Sequence, residues 1–120
     1  MQLSPALAAF VAERHLATLV TLRADGTPHA VPVGFTFRVE GEQAYVRVIT
    51  SASAVKAANV RRTARASVTQ IDGPRWVTFE GPAQVLHDAA SVAAAVEAYA
   101  GRYRQPRVRD DRVVIEIEVQ

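Results

Sequence analysis

At 120 residues, with 49% hydrophobic and 22% charged, the chain is long and apolar enough to bury a core as a single domain, residues 1–120, and too hydrophobic to be disordered. It contains no cysteine, which excludes disulfides, thiolate nucleophiles and thiolate-bound metals. A formal charge of +2 is mild for a nucleic-acid binder, and no apolar run approaches the roughly 20 residues needed to cross a bilayer.

The N-terminus, Met1 to Pro5, lacks the basic start and apolar core of a secretory signal, so the cytoplasm is the expected compartment. Ser4-Pro5 reads as N-cap and first helical residue, opening a helix that ends near His15. Leu16 to Arg23 reads as a buried strand, and Ala24 to Thr27 as a turn. The next strand, His29 to Val39, alternates. Its odd positions are bulky and apolar, whereas Ala30, Pro32, Gly34 and Thr36 leave the other face nearly bare. A third strand covers Ala44 to Thr50 and runs into a helix over Ser51 to Arg62. A fourth, Ala64 to Ile71, turns at Asp72-Gly73-Pro74 into a fifth, Arg75 to Leu86, with a bulge or bend expected at Gly81-Pro82. Asp88 caps a helix over Ala89 to Tyr103, with Val92, Val96, Tyr99 and Tyr103 at helical spacing. The last strand, Val113 to Val119, places Val113, Ile115, Ile117 and Val119 inward and Glu116 and Glu118 outward. Six strands joined mostly by hairpins, with flanking helices, predict a mainly β protein built as a small antiparallel barrel.

Three stretches stand out chemically. The first is Val48 to Arg62, where a hydroxyl-rich strand end (Thr50, Ser51, Ser53) feeds a helix carrying Lys56 and Asn59, the chain's only lysine and only asparagine. Unpaired amides and the helix dipole suit an anion there, so the segment is either a phosphate seat or a plain N-cap, Ser51 or Ser53, on a solvated helix. The second is the bare strand face, where Gly34 lets a flat ring approach the backbone; the alternative is an edge strand packed on a helix. The third is the loop Arg102 to Arg112, which holds Arg102, Arg104, Arg107, Arg109 and Arg112 and is either an anion site or a solvated charged loop. Trp76, the only tryptophan, begins a strand and walls a pocket, fills a subunit interface or packs in the core; Gln70 sits across the same hairpin.

No acid–base set accompanies them. His15, His29 and His87 show no metal-ligand spacing, and no metal is expected. Ser53, Ser67 and Ser91 lack the setting of a hydrolase nucleophile. An enzyme of this composition takes its reactive group from a cofactor.

Read in order, these segments resemble the FMN-binding split-barrel superfamily typified by pyridoxamine 5′-phosphate oxidase, within it the branch that uses the deazaflavin coenzyme F420 and reduces biliverdin. The resemblance rests on Glu13 to Ala17, Thr21 to Asp25, Val33 to Phe37, Val48 to Thr50, Lys56-Ala57 with Asn59, and Gln70 to Trp76. It closes with Glu80-Gly81, Arg102 to Pro106 and Arg112 to Glu116. It implies a six-stranded split β-barrel and a homodimer with active sites at the interface. It places the cofactor phosphate on Thr50, Ser51 and Lys56, with Asn59 nearby, and the deazaflavin along Val33 and Gly34. Gln70 and Trp76 would line the site, from the same or from the other subunit. Arg102 and Arg104 would take the oligoglutamate tail. Relatives continue beyond the position of Gln120 with a further element. The implied reaction is hydride transfer from reduced F420 to a conjugated small molecule, biliverdin or a related tetrapyrrole. An FMN-dependent oxidase or reductase and a non-catalytic F420 or tetrapyrrole carrier are the alternatives. Nucleic acid is not an expected partner, because aromatic residues are only 7% and do not interleave with the arginines.

Overall fold

A computed structural model describes residues 2–120. The chain forms α1 (Pro5–Ala12), β1 (Ala17–Leu22), β2 (Pro28–Val33), β3 (Thr36–Glu40), β4 (Gln43–Ser51), α2 (Val55–Thr63), β5 (Arg65–Asp72), β6 (Arg75–Leu86), α3 (Ala89–Arg102) and β7 (Arg112–Glu118). Ser4 caps α1 as expected, its hydroxyl accepting from the Leu7 amide at 3.2 Å with Pro5 at the first position. That helix stops at Ala12, short of His15, because Glu13 turns extended.

The strands form one antiparallel sheet in the order β2-β1-β5-β6-β7-β4-β3. There are seven rather than the expected six. The predicted strand His29–Val39 divides at Gly34-Phe35, since β2 pairs with β1 while β3 pairs with β4. The two halves therefore lie at opposite edges of the sheet, yet only two residues join them. Three Cα steps span at most about 11 Å, so the sheet must curl until its edges adjoin without closing. Phe35, fully buried, fills the space at this break.

β6 carries the chain from one half of the sheet to the other. It pairs with β5 from Arg75 to Pro82 and with β7 from Ala83 to Leu86. Of the bulge or bend expected at Gly81-Pro82, the bulge is absent from the β5 register; the pair marks the change of partner. A β-carbon at Gly81 would overlap the carbonyl oxygen of Glu118, so only glycine permits this crossing.

Two further expectations fail locally. Glu116 was expected to face outward, but β7 lies between β6 and β4 and is buried on both faces. Glu116 is only 9% exposed and is held by Arg47 Nε at 2.9 Å and Gln84 Nε2 at 3.0 Å, as a buried carboxylate requires. Neither Ser51 nor Ser53 caps α2: Ser51 ends β4, and the cap is Ala54, which has no side-chain hydrogen bond. The core is Leu19, Phe35, Val46, Val48, Val68, Ile115 and Ile117.

Candidate functional site: a cation-walled basin

At the β2–β3 break a basin of about 540 Å³ opens between Pro32, Val33 and Gly34 of β2 and its exit, Ile49 of β4, Lys56 of α2, Tyr99 of α3 and the arginine loop. Arg104, Arg107, Arg109 and Arg112 complete its wall, and no carboxylate lines it. Sheet register explains how distant segments meet here. Ser51 at the end of β4 pairs with Arg112 at the start of β7, and the Ala52 amide donates to the Asp111 carbonyl at 2.8 Å. The hydroxyl-bearing strand end and the arginine loop are thus zipped together by backbone.

Two of the arginines are internally committed. Arg109 forks onto Asp111 at 2.9 and 3.0 Å, and Arg112 donates to the Arg107 carbonyl at 2.8 Å. Arg104 and Lys56 have no carboxylate partner among the described residues. Lys56 is half-buried, and burial pushes its ammonium below the usual lysine range. With no side chain capping α2, the Val55 and Lys56 amides also stay open to an acceptor, while the Ala57 amide donates to the Ala54 carbonyl at 3.1 Å. The basin therefore presents positive charge with little to neutralise it.

Of the residues singled out in sequence, Val33, Gly34, Lys56 and Arg104 meet in this basin. Thr50 and Ser51 follow Ile49 directly along β4, beside it rather than on its wall. The others do different work. Asn59 is buried; its Nδ2 donates to Thr21 Oγ1 at 3.0 Å and its Oδ1 accepts from Arg62 at 2.8 Å, pinning α2 to β1. Gln70 is 0% exposed, donating to the Phe10 carbonyl at 2.9 Å and accepting from Arg102 at 2.5 Å. Arg102 also donates to the carbonyls of Glu13, at 2.9 Å, and Phe35, at 2.5 Å. A guanidinium bonded through all three of its nitrogens acts as a structural clamp, and Arg102 is not among the residues that line the basin. Trp76 lies elsewhere on the sheet, 67% exposed.

Gly34 also behaves differently from the expectation. A β-carbon there would stand 2.9 Å from ring carbons of both Tyr99 and Tyr103. The close approach that glycine permits is taken up by the chain's own tyrosines. Open strand face remains at Ala30 and Pro32, both exposed. Tyr99 is the basin residue that sequence reasoning missed as a site residue. It falls in the apolar stripe of α3, where a core role was the natural reading.

Two other features are less suited to an anion. An apolar groove of about 470 Å³ runs between α1, β3 and α3, and its one cation is the committed Arg102. Glu13, His15 and Asp72 converge at metal-ligand distances, but Arg75 ion-pairs with both carboxylates and supplies the cation itself. Arg75, and secondarily His15, hold the Glu13 carboxyl down at about 2.

The outer face of β1, β5 and β6 carries a row of exposed apolar side chains. Ile71 pairs with Trp76, and Leu16 immediately precedes β1, the strand that pairs with β5. These three are 64 to 67% exposed. The adjoining row is Thr18, Thr69 and Thr78, with the last two hydroxyls 2.7 Å apart.

A curled antiparallel sheet with a cation-walled basin at its open edge is the class of protein defined by these features. The chain belongs to the pyridoxamine 5′-phosphate oxidase family, whose model matches residues 3–120. It is 47% identical over 119 residues to the F420H(2)-dependent biliverdin reductase of Mycobacterium tuberculosis, covering 99% of this chain and 85% of that one. Among solved structures, a conserved hypothetical protein from Mycobacterium tuberculosis superposes with a TM-score of 0.77 at 26% identity, covering 100% of this chain and 82% of the other. An F420 reductase superposes at 0.73 with 21% identity, covering 93% and 91%, and shares the fold.

Proposed function

We propose that the chain is an oxidoreductase that uses reduced coenzyme F420 to reduce biliverdin or a related tetrapyrrole. The observation that carries this reading is the basin wall: Lys56 and four arginines, no carboxylate, beside an open strand face. The 47% identity to a biliverdin reductase of that cofactor class supports the choice of reaction.

The donor set fits a deazaflavin with a phosphate and an oligoglutamate tail. The Lys56 side chain, the Val55 and Lys56 amides and the hydroxyls of Thr50 and Ser51 would hold the phosphate. Arg104, with Arg107, would take the tail carboxylates; FMN has no such tail to use them. The backbone of Val33 and Gly34 and the exposed Pro32 would bed the ring. Asn59, Gln70 and Arg102 serve this site indirectly, by fixing α2, β5 and the β2–β3 break. When bound, the cofactor supplies the hydride; the protein binds, orients and excludes water.

The curled sheet is read as the split barrel of the family and the molecule as a homodimer. Leu16, Ile71 and Trp76 are exposed apolar side chains of the kind a second copy covers. No helix among the described residues is long and apolar enough to cross a membrane. A small-molecule substrate and a cytoplasmic setting complete the proposal.

The direct test is to mix protein, reduced F420 and biliverdin without oxygen and follow the return of oxidised-coenzyme fluorescence. Protein-dependent and biliverdin-dependent oxidation supports the reading. Binding of both ligands without oxidation would make the protein a carrier.

A further inference from the structure

Reduction of a conjugated acceptor needs a proton as well as a hydride, and the basin offers few groups that can give one. Guanidinium groups do not release protons at physiological pH. Lys56 is occupied by phosphate in the proposed arrangement. Tyr99 remains. Its ring is fixed by stacking on Tyr103 at 4.8 Å between centroids and by contact with Gly34, and it lines the basin beside Val33 and Gly34. Its hydroxyl has no hydrogen-bond partner among the described residues, in contrast with Tyr103, which donates to the His15 carbonyl at 2.7 Å and accepts from the Phe35 amide at 3.2 Å.

We propose that Tyr99 is the proton donor to the reduced acceptor, an assignment that rests on the F420-dependent reading above. The hydride arrives at an acceptor carbon from the reduced deazaflavin. The carbon–carbon π pair shifts along the conjugated system to a ring nitrogen, and that nitrogen takes the hydroxyl proton of Tyr99. The phenolate left behind lies in a basin whose own wall carries no carboxylate, and it regains a proton from water entering the basin. One hydride and one proton are added to the acceptor, the deazaflavin is oxidised by two electrons, and the tyrosine is restored.

Tyr99→Phe keeps the ring and removes a hydroxyl that bonds to nothing, so folding is preserved. The experiment has two arms. In single turnover with F420 and biliverdin, Tyr99→Phe is expected to slow oxidation of the coenzyme by about 100-fold, with F420 affinity unchanged. Tyr45→Phe, at a tyrosine outside the basin, is expected to keep the rate. In the second arm, nitration by tetranitromethane is mapped by mass spectrometry on the wild-type protein; biliverdin with F420 should protect Tyr99 while Tyr45, half-buried and outside the basin, reacts as before. A competent wild type whose Tyr99→Phe variant runs at full rate, or a Tyr99 nitrated equally with and without ligands, overturns the assignment alone. A wild type that oxidises no coenzyme overturns the functional reading, and the assignment with it.

Discussion

Gly34 and Tyr103 meet with no room for a β-carbon between them, and the Tyr103 hydroxyl then binds the amide of the next residue, Phe35. The end of α3 is thereby moored to the break between β2 and β3, where the basin opens. Replacing Gly34 with Ala forces both Tyr99 and Tyr103 aside. The cost is expected to be about 1–3 kcal/mol in urea denaturation, the usual range for overpacking. F420 affinity should fall as well, because the displaced Tyr99 ring lines the basin.

Arg102 and Arg104 are two residues apart and should respond in opposite ways. Arg102→Ala strands the buried Gln70 side chain and the carbonyls of Glu13 and Phe35. Stability should drop by about 3 kcal/mol, since buried acceptors lose a charged donor. Arg104→Ala should leave stability within about 0.5 kcal/mol and weaken F420 binding. Denaturation and fluorescence titration of each variant separate the two roles.

Lys56 gives the site a pH signature. Burial lowers its pKa from 10.5, so in the ligand-free protein the charged form is penalised and that penalty is relieved as pH rises through the lowered value. A bound phosphate favours the charged form. F420 affinity is therefore expected to decline as pH climbs through the Lys56 titration, while the arginines stay charged. Lys56→Arg should move that decline to higher pH, and Lys56→Ala should abolish the step at lower overall affinity. Dissociation constants measured across the alkaline range check both.

Ala64 closes α2 at φ +58, a left-handed conformation that suits glycine. Ala64→Gly removes the steric penalty at the expense of some unfolded-chain entropy. The net expectation is a gain of up to about 1 kcal/mol, read as a higher denaturation midpoint with unchanged slope. Cofactor binding should not move.

What was legible in the sequence was carried by local signals. Ser4-Pro5 and Asp88 mark helix starts within a few residues, and Asp72-Gly73-Pro74 sets the hairpin from β5 to β6. Lys56 and the arginine loop were identifiable because charge without a local partner is visible in one dimension. The break at Gly34-Phe35 was not legible. Val33, Phe35 and Phe37 keep the same alternation through it, and only the change of pairing partner, a long-range event, divides the strand. Glu116 defeated the alternation rule because β7 is covered on both faces, with its counter-ion, Arg47, 69 positions away in sequence. Gln70 and Arg102 are likewise joined only in space. Both read as site residues because a polar side chain's partner cannot be seen until the fold supplies it.

The most direct test of the account is a parallel titration of the purified protein with F420 and with FMN, at low and high salt. Lys56, Arg104 and the neighbouring arginines predict tight F420 binding that weakens steeply with salt, and FMN binding at least about 10-fold weaker, a difference of 1.4 kcal/mol. Tight FMN binding with no F420 binding would contradict it.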